Sequence, residues 1–340
     1  MNSRLDFICP PPKQNVLKKL LEAKKCFKLI CGAGNENLEE VEKLVALYAK
    51  AGCRFFDLCA SEEVLKSAQK GLDFAIPKVE QKDYHFCVSI GTENDPHFNK
   101  VTINQKDCKR CEKCIKICPQ NAISQYFKVI EKNCIGCLKC QKVCKHDAIL
   151  TVRLNPHPTN SLLFTLHSSL SCIELHVCDK TDADEKWDYL CENFNGILSI
   201  CLGRGKFSNE QVLSLVRRLI EKREPYTTII QADGSPMSGG EDDFNTTLQA
   251  VAMAELIQSA NLPVYLTLSG GTNSKTAQLA KLCGVDFHGV AVGSYARKIV
   301  KEYIEREDFW TNKAIFEDAS KIAANLIQST FTPTSISIHH

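Results

Sequence analysis

Eight cysteines between residues 108 and 144 repeat one spacing twice, and they constrain the fold of this chain more than any other feature. The first copy reads C-x2-C-x2-C-x3-C followed by Pro119, and the second copy has the same spacing followed by Lys145. Two such copies are typical of bacterial ferredoxin modules, in which the fourth cysteine of each copy binds the cluster of the other copy. The sequence therefore predicts a compact segment built around two [4Fe-4S] clusters.

This crossed pattern assigns four thiolates to each predicted cluster. Cluster 1 is predicted to be held by Cys108, Cys111, Cys114 and Cys144, and cluster 2 by Cys134, Cys137, Cys140 and Cys118. Structural zinc is a weaker interpretation, because a tetrahedral zinc site does not need the third cysteine of each run. A disulfide framework would require an exported chain, and the sequence shows no sign of export.

The repeat extends beyond the cysteines. An offset of 26 residues places Ile103 on Val129 and Ile123 on Ile149. Each half is therefore predicted to form a strand, a cluster loop, a short helix and a second strand, with the halves related by a pseudo-twofold axis. The position equivalent to Pro119 is Lys145, which adds an N–H group and a charge where proline would fix the chain.

Composition indicates a globular protein in a reducing compartment. The chain has 340 residues, of which 44% are hydrophobic, and a net charge of +2. We expect no membrane-spanning segment and no signal peptide, because no run of 18 apolar residues occurs and residues 1–12 lack a basic segment followed by an apolar one. Nineteen cysteines in an unexported chain favour the cytoplasm. Those outside the repeat are expected to be small buried hydrophobic residues.

Strand and helix patterns alternate on both sides of the cysteine segment. Apolar strands are predicted at residues 27–31, 54–58, 85–90, 172–177, 196–202, 227–232, 264–269 and 288–292. Apolar strands separated by amphipathic helices indicate a parallel sheet, and eight such units close a barrel. We therefore predict a (β/α)8 barrel with an inserted two-cluster ferredoxin module. An open doubly wound sheet is the alternative.

The predicted domain limits follow from this arrangement. Residues 1–94 form the first part of the barrel, 95–155 the inserted module, 156–330 the second part of the barrel with a C-terminal helix, and 331–340 a frayed tail. Within these parts, helices are predicted at 15–24, closing the barrel floor, and at 161–169. Loops that follow barrel strands carry the sites of such proteins, so the clusters are expected to face the barrel mouth.

A second candidate site lies at the same end of the predicted barrel. Glycines and a helix start follow strands seven and eight, and with one arginine they predict a phosphate site, typical of barrels that bind flavin mononucleotide (FMN), at Gly270, Gly271, Gly293, Ser294 and Arg297. Tight turns explain the glycines equally simply. No catalytic residue is predicted. Gln231, Asp233 and Ser235 lie at the end of strand six and in its loop, where the one acid, Asp233, fits a turn or cap better than a catalyst. His85, His146, His157, His167, His176 and His288 fit core or surface positions.

Charge within the cysteine segment indicates a partner. Residues 104–150 contain ten Lys and Arg side chains and four Asp and Glu side chains. Part of this excess neutralises anionic clusters, and the rest forms a basic surface that attracts an acidic electron carrier. Nucleic acid is disfavoured, because Tyr126 and Phe127 are the aromatic residues that accompany the charges and they do not form a stacking platform.

Five stretches of this sequence together resemble the cyanobacterial light-dependent period protein A family. They are residues 4–7 (RLDF), 27–34 (FKLICGAG), 55–57 (FFD), the cysteine segment, and 266–297. The resemblance implies an iron–sulfur redox sensor that tunes the circadian clock to photosynthetic electron flow and associates with clock proteins. A sensor or electron-transfer role is thus favoured over an enzyme. The alternative is an iron–sulfur flavin oxidoreductase with FMN or a phosphorylated substrate at the barrel mouth.

Overall fold

The computed structural model describes residues 12–93, 95–153, 170–178, 182–203, 205, 207–234 and 241–331. Eight parallel strands in these residues form a closed barrel, and β4 and β5 form a separate two-stranded sheet. The strands are β1 (Cys26–Ile30), β2 (Phe55–Cys59), β3 (His85–Gly91), β4 (Asn99–Ile103), β5 (Ile149–Arg153), β6 (Cys172–Val177), β7 (Ile197–Gly203), β8 (Thr228–Asp233), β9 (Tyr265–Ser269) and β10 (Gly289–Val292). Because β1 pairs with both β2 and β10, the ring is closed. The predicted (β/α)8 barrel is confirmed, and the open sheet is excluded.

Helices surround the barrel. In the described residues they are α1 (Pro12–Glu22), α2 (Leu38–Lys50), α3 (Glu62–Ala75), α4 (Lys113–Ile117), α5 (Lys139–Val143), α6 (Ala183–Asn193), α7 (Asn209–Ile220), α8 (Phe244–Ser259), α9 (Thr276–Leu282), α10 (Ser294–Ile304) and α11 (Lys313–Phe331). None of these described helices is long and apolar enough to cross a membrane.

Helix α7 illustrates why the local sequence folds in this way. Ser208 accepts a hydrogen bond from the backbone of Gln211, whose side chain accepts one from the Ser208 backbone, so the helix starts with a capping box. Its buried side chains recur at helical spacing at Val212, Leu215, Val216 and Leu219. One face is therefore apolar and packs against the barrel.

The barrel strands are buried on both faces. Every residue of β3, β6, β8, β9 and β10 is buried. Their outward side chains pack under the helices, and their inward side chains fill the barrel. Such two-sided burial is typical of parallel strands.

The barrel floor is closed by α1. Leu17 and Leu21 of this helix are fully buried and pack against residues at the start of the barrel strands, among them Phe55 and Tyr265. The predicted floor helix is thus confirmed, with bounds at Pro12–Glu22. The floor is apolar, and the chemistry-bearing residues described below lie towards the other end of the barrel.

The segment between β3 and β6 has its own small fold. Strands β4 and β5 are antiparallel, with Ile103 opposite Ile149. An isolated bridge pairs Ile123 with Val129. In the 26-residue repeat, Val129 is equivalent to Ile103 and Ile123 is equivalent to Ile149. Helices α4 and α5 have the same shift. The structure therefore has the internal twofold repeat that the sequence predicts.

Backbone conformation repeats as well. Glu112 and Leu138 both have a left-handed conformation, with φ of 62° and 54°. Asn121 and Asp147 form a second equivalent pair, with φ of 49° and 48°. Because non-glycine residues rarely adopt this conformation, its recurrence at matched positions shows that both halves fold around the same loop geometry.

Buried contacts fix this segment to the end of the barrel where β1 finishes. Lys100 is almost fully buried, and its Nζ donates hydrogen bonds to the carbonyl oxygens of Gly34, Glu131 and Cys134 at 2.8–3.1 Å. Gly34 belongs to the loop after β1, whereas Cys134 belongs to the second cysteine run. The cysteine segment therefore covers the mouth of the barrel.

Several predictions fall on residues outside the described part of the chain. These are the helix at 161–169, the tail at 332–340 and the role of Ser235. The domain limits after residues 94 and 155 also stay predictions, because residue 94 and residues 154–169 are not described.

Candidate functional site

The predicted cluster ligands surround two separate cavities of nearly equal size. One cavity, of about 330 Å³, is lined by Cys108, Cys111, Cys114 and Cys144. The other, of about 340 Å³, is lined by Cys118, Cys134, Cys137 and Cys140. Each cavity thus takes three thiols from one copy of the motif and the fourth from the other copy. We refer to them as cavity 1 and cavity 2.

The chemistry of both cavities fits an iron–sulfur cluster. Apart from the four thiols, cavity 2 is lined mainly by apolar side chains such as Val101, Ile123 and Leu138. The backbone N–H of Ala122 donates to the Cys118 sulfur at 3.2 Å, a contact that stabilises a thiolate. None of the described cysteines forms a disulfide. Four converging sulfur donors in an apolar shell match the donor set of a cubane cluster.

The two cavities differ in their access to solvent. Cavity 1 includes the exposed Cys111, whereas Cys134 and Cys140 of cavity 2 are buried. Burial raises the pKa of the Cys140 thiol to about 12, so a metal must displace its proton on binding. Cavity 1 is therefore the outer site and cavity 2 the inner site.

A third and larger cavity occupies the barrel mouth. Gly270, Gly271, Gly293, Ser294 and Arg297, which the sequence assigns to a phosphate site, all line it. Gly270 and Gly271 have φ of 70° and 79°. A side chain on Gly270 would also collide with the Asp233 carboxylate, so glycine is required there for two reasons.

Arg297 is already engaged by the protein. Its Nη2 donates to the Cys31 carbonyl oxygen at 2.7 Å, and its Nε lies 2.6 Å from Glu40 Oε1. This pairing reduces the charge that the guanidinium offers to an anion. The other groups of the predicted phosphate site are the backbone N–H groups at the start of α10 and after β9.

Ile135 connects the inner cysteine cavity with the barrel mouth. This residue lies between Cys134 and Cys137, and it lines both cavity 2 and the mouth cavity. Gly136, the next residue, packs against the carbonyl oxygens of Asn99 and Pro96 and has φ of 68°. The Ile135 side chain thus lies between cavity 2 and the mouth cavity.

The barrel interior contains buried charges that the sequence analysis did not find. Lys28 Nζ, on β1, lies 2.6 Å from Glu174 Oε2 on β6 and 3.2 Å from Asp57 Oδ2 on β2. It also donates to Gln231 Oε1 at 3.0 Å. Ser199 donates to Glu174 at 2.7 Å. All four residues of this network are nearly or fully buried: Lys28, Asp57, Glu174 and Gln231. Their hydrogen bonds and ion pairs therefore take the place of hydrogen bonds to water.

This network shifts the pKa of each charged member. Burial opposes the ionised form of Lys28, but Asp57 and Glu174 outweigh it and raise the pKa of the Lys28 ammonium well above its usual value. Burial also opposes ionisation of Glu174, yet Lys28 and a hydrogen bond from His176 hold the pKa of that carboxyl well below its usual range. For Asp57 burial dominates, and its pKa is raised. The Lys28–Glu174 pair is thus the stable ion pair of the barrel.

One expectation about a single residue needs correction, and another is met but incomplete. Asp233, interpreted as a turn residue, is a buried residue of β8 that lines the mouth cavity, and burial raises the pKa of its carboxyl. His176, interpreted as a core or surface residue, is buried and lines the same cavity, where it contacts Asp95 and Glu174. Local sequence patterns do not indicate the contact between His176 and Asp95, because the two residues are far apart in the chain.

Among solved structures, the chain is similar to tryptophan synthase from Mycobacterium tuberculosis in space group F222, with a TM-score of 0.46 and 9% identity, over 92% of this chain and 97% of that chain. It is also similar to a truncated form of 3-deoxy-D-arabino-heptulosonate 7-phosphate synthase from Thermotoga maritima, with a TM-score of 0.42 and 11% identity, over 88% and 84% of the two chains. These likenesses do not bear on activity, and the barrel is established by its strand pairing.

Two family models match the cysteine segment and the C-terminal part of the chain. The Light dependent period A C-terminal domain matches residues 165–330, and the LdpA Fe-S cluster-binding domain matches residues 105–155. Together they cover more than half of the chain. Light dependent period A of Synechococcus elongatus (strain ATCC 33912 / PCC 7942 / FACHB-805) is 28% identical over 303 residues, which is 84% of each chain. The chain therefore belongs to the light-dependent period A family and contains that family's iron–sulfur cluster-binding domain.

Proposed function

We propose that this protein is a redox sensor that carries two [4Fe-4S] clusters and reports the cellular or photosynthetic redox state to the circadian clock. The observation that carries the proposal is the arrangement of eight cysteines around two apolar cavities, three from one copy and one from the other at each. A single zinc site or a disulfide would not require two such matched sets. The clock role is proposed from the family and from its relative, Light dependent period A of Synechococcus elongatus.

In this proposal the inner and outer sites have different tasks. A bound cluster supplies reversible one-electron transfer at a potential set by its surroundings. The chain supplies the thiolates, the apolar shell and the N–H donor to sulfur. Cavity 1, with exposed Cys111, is the point of electron entry. Cavity 2 passes the change to the barrel through Ile135 and through Lys100, which binds the Cys134 carbonyl.

The basic surface of the segment supports an acidic electron carrier as the partner. All ten Lys and Arg side chains of residues 104–150 are exposed, and Lys109, Arg110 and Lys113 border cavity 1. Positive charge near the outer site steers an acidic protein to it and favours the reduced cluster. The rate of reduction by such a carrier is expected to fall as salt rises. A rate independent of salt would contradict this docking mode.

The sensor proposal is tested by partner binding in two redox states. The protein is reconstituted anaerobically, and the affinity of its clock-protein partner is measured with oxidised and with dithionite-reduced protein. We expect the affinity to differ between the two states, because a sensor requires differential binding by its partner. Equal affinity, with clusters that are reduced reversibly, would instead indicate an electron-transfer adaptor.

A second function is supported by the barrel mouth. Gly270, Gly271, Gly293 and Ser294 offer backbone N–H groups to a phosphate, and Ile135 brings the same cavity next to the inner cysteine site. An iron–sulfur flavin oxidoreductase with FMN or a phosphorylated substrate at the mouth fits this geometry. The visible spectrum of the reconstituted protein decides between the functions. Stoichiometric flavin bands would favour the oxidoreductase, and their absence would favour the sensor.

A further inference from the structure

Two histidine nitrogens and a carboxylate oxygen face one another beside the mouth cavity, apart from the cysteine sites. Asp95 and His97 belong to the turn that follows β3, and His176 lies on β6. The Nδ1 atoms of His97 and His176 are 3.4 Å apart. Asp95 Oδ1 lies 2.7 Å from Nδ1 of His97, and Asp95 Oδ2 lies 3.2 Å from Nδ1 of His176. These donor atoms are close enough together to bind one metal ion.

The hydrogen bond on the other side of His176 determines which nitrogen faces this group. His176 Nε2 lies 3.1 Å from Glu174 Oε1. Because the ionised Glu174 can only accept, Nε2 carries the proton and donates. The other ring nitrogen, Nδ1, then faces Asp95 and His97. Metal-binding histidines usually donate their second nitrogen to a carboxylate in this way.

The facing side of Asp95 lacks a hydrogen-bond donor. Asp95 is fully buried, and its Oδ2 receives no well-directed hydrogen bond. This oxygen lies 3.2 Å from Nδ1 of His176. A positive charge between these atoms stabilises the buried carboxylate, and a metal ion supplies it in place of a proton on His176. A tetrahedral ion with bonds of 2.0–2.1 Å separates neighbouring ligand atoms by roughly 3.3 Å, which matches the contacts to His176.

We propose that Asp95, His97 and His176 bind a divalent transition-metal cation, with Glu174 positioning His176. Two imidazole nitrogens and one carboxylate form a donor set suited to zinc, iron and manganese. His97 and His176 line the mouth cavity, so the cation is reachable from it. The site joins the barrel to the turn that leads into the cysteine segment, and it uses none of the eight repeat cysteines.

Zinc is the probe for this proposal. Cluster-loaded protein is dialysed to equilibrium against Zn²⁺, and iron and zinc per chain are measured by mass spectrometry. We expect about one zinc ion per chain with nitrogen and oxygen ligands in X-ray absorption spectra. His97→Ala and Asp95→Asn are expected to lose this zinc and to keep their iron. Cys283→Ser, which removes an exposed thiol far from the site, is expected to retain both metals.

Three results would overturn the proposal. They are wild-type protein that retains no zinc, His97→Ala protein that retains as much zinc as wild type, and zinc spectra dominated by sulfur ligands. The first result would assign the positive charge to a proton on His176. Iron per chain is measured in the same samples, so failure of the cluster proposal is seen separately. If His97→Ala does not fold, His97→Gln, which keeps a side chain of similar length, replaces it.

Discussion

At the scale of single residues, Cys118 and Cys144 connect the two halves of the repeat. Each ends a short helix, α4 or α5, and lines the cavity whose other three thiols come from the other half. The motif spacing predicts this crossing, and the cavities have the geometry for it. Single substitutions do not show which cluster a given cysteine binds, because the loss of any one ligand lowers the iron content.

Pairs of substitutions test the crossed ligation. Cys118→Ala is expected to reduce iron from about eight to about four atoms per chain, by removing one [4Fe-4S] cluster. Adding Cys137→Ala, at the same cavity, is expected to cause no further loss. Adding Cys114→Ala, at the other cavity, is expected to remove the remaining iron. Iron and acid-labile sulfide are measured, with Cys283→Ala as the control. If the Cys118→Ala/Cys114→Ala variant kept about four iron atoms and the Cys118→Ala/Cys137→Ala variant lost all of its iron, each cluster would be bound by one copy of the motif.

The buried ammonium of Lys28 is expected to be important for stability. Lys28→Met leaves Glu174 and Asp57 without their shared counter-charge, and removal of one partner from a buried ion pair typically costs about 3–5 kcal/mol. The free energy of unfolding is measured by chemical denaturation. Lys222→Met, which breaks an exposed pair with Asp188, is the control and is expected to have no measurable effect. Equal effects of the two variants would contradict the importance of the buried pair.

Sequence patterns predicted the cysteine sites because all eight thiols belong to one local motif. They failed for the barrel network because Lys28, Asp57 and Glu174 lie on three different strands. Each appears alone among apolar neighbours, and nothing in the local sequence shows that the strands bring them together. The grouping of Gly270, Gly271, Gly293, Ser294 and Arg297 at the barrel mouth was predictable because glycines and a helix start are local signals, whereas the binding of a phosphate there stays a prediction.

At the scale of elements, Gly136 links the second cysteine loop to the turn before β4. Its φ of 68° is left-handed, and a Cβ atom at this position would collide with the carbonyl oxygen of Asn99. The equivalent position in the first half is Arg110, with φ of 51°. Glycine is therefore required in the second half by the close contact with Asn99 and Pro96, and not by the cluster loop alone.

We expect Gly136→Ala to displace the loop between Cys134 and Cys137 and to lower iron retention at cavity 2. Gly284→Ala is a matched control, because Gly284 has φ of 70° and no atom lies within 4 Å of an added Cβ. Both variants carry the same backbone strain, of about 1–2 kcal/mol. Iron per chain during dialysis against a chelator is the measurement. Equal iron loss in both would show that strain, and not the contact with Asn99, matters.

The elements of the barrel were predictable to within a few residues, because strands buried on both faces have a distinct composition. The floor helix was predicted at 15–24 and is observed at Pro12–Glu22. The packing of the cysteine segment on the barrel was not predictable in detail. It depends on Lys100, which is buried against three carbonyl groups. No periodic sequence pattern indicates that this charged residue is buried.

At the scale of the whole molecule, Lys100 is expected to couple the two parts. Lys100→Met keeps the length of the side chain but removes its hydrogen bonds to Gly34, Glu131 and Cys134. We expect faster amide hydrogen exchange in peptides covering residues 131–137 and 32–36, with unchanged iron content. Lys139→Met, at an exposed lysine of the same segment, is the control. Unchanged exchange in Lys100→Met would show that other contacts hold the segment in place.

Closure of the barrel between β1 and β10 has a consequence for the order of assembly. The eight cysteines lie within 37 consecutive residues, so both of their cavities can form soon after that stretch leaves the ribosome. The mouth cavity needs Ile30 from the first strand and Gly293 from the last, and it is complete only when nearly the whole chain has been made. A nascent or truncated chain can therefore fold its cysteine segment before the barrel mouth that this segment covers has formed.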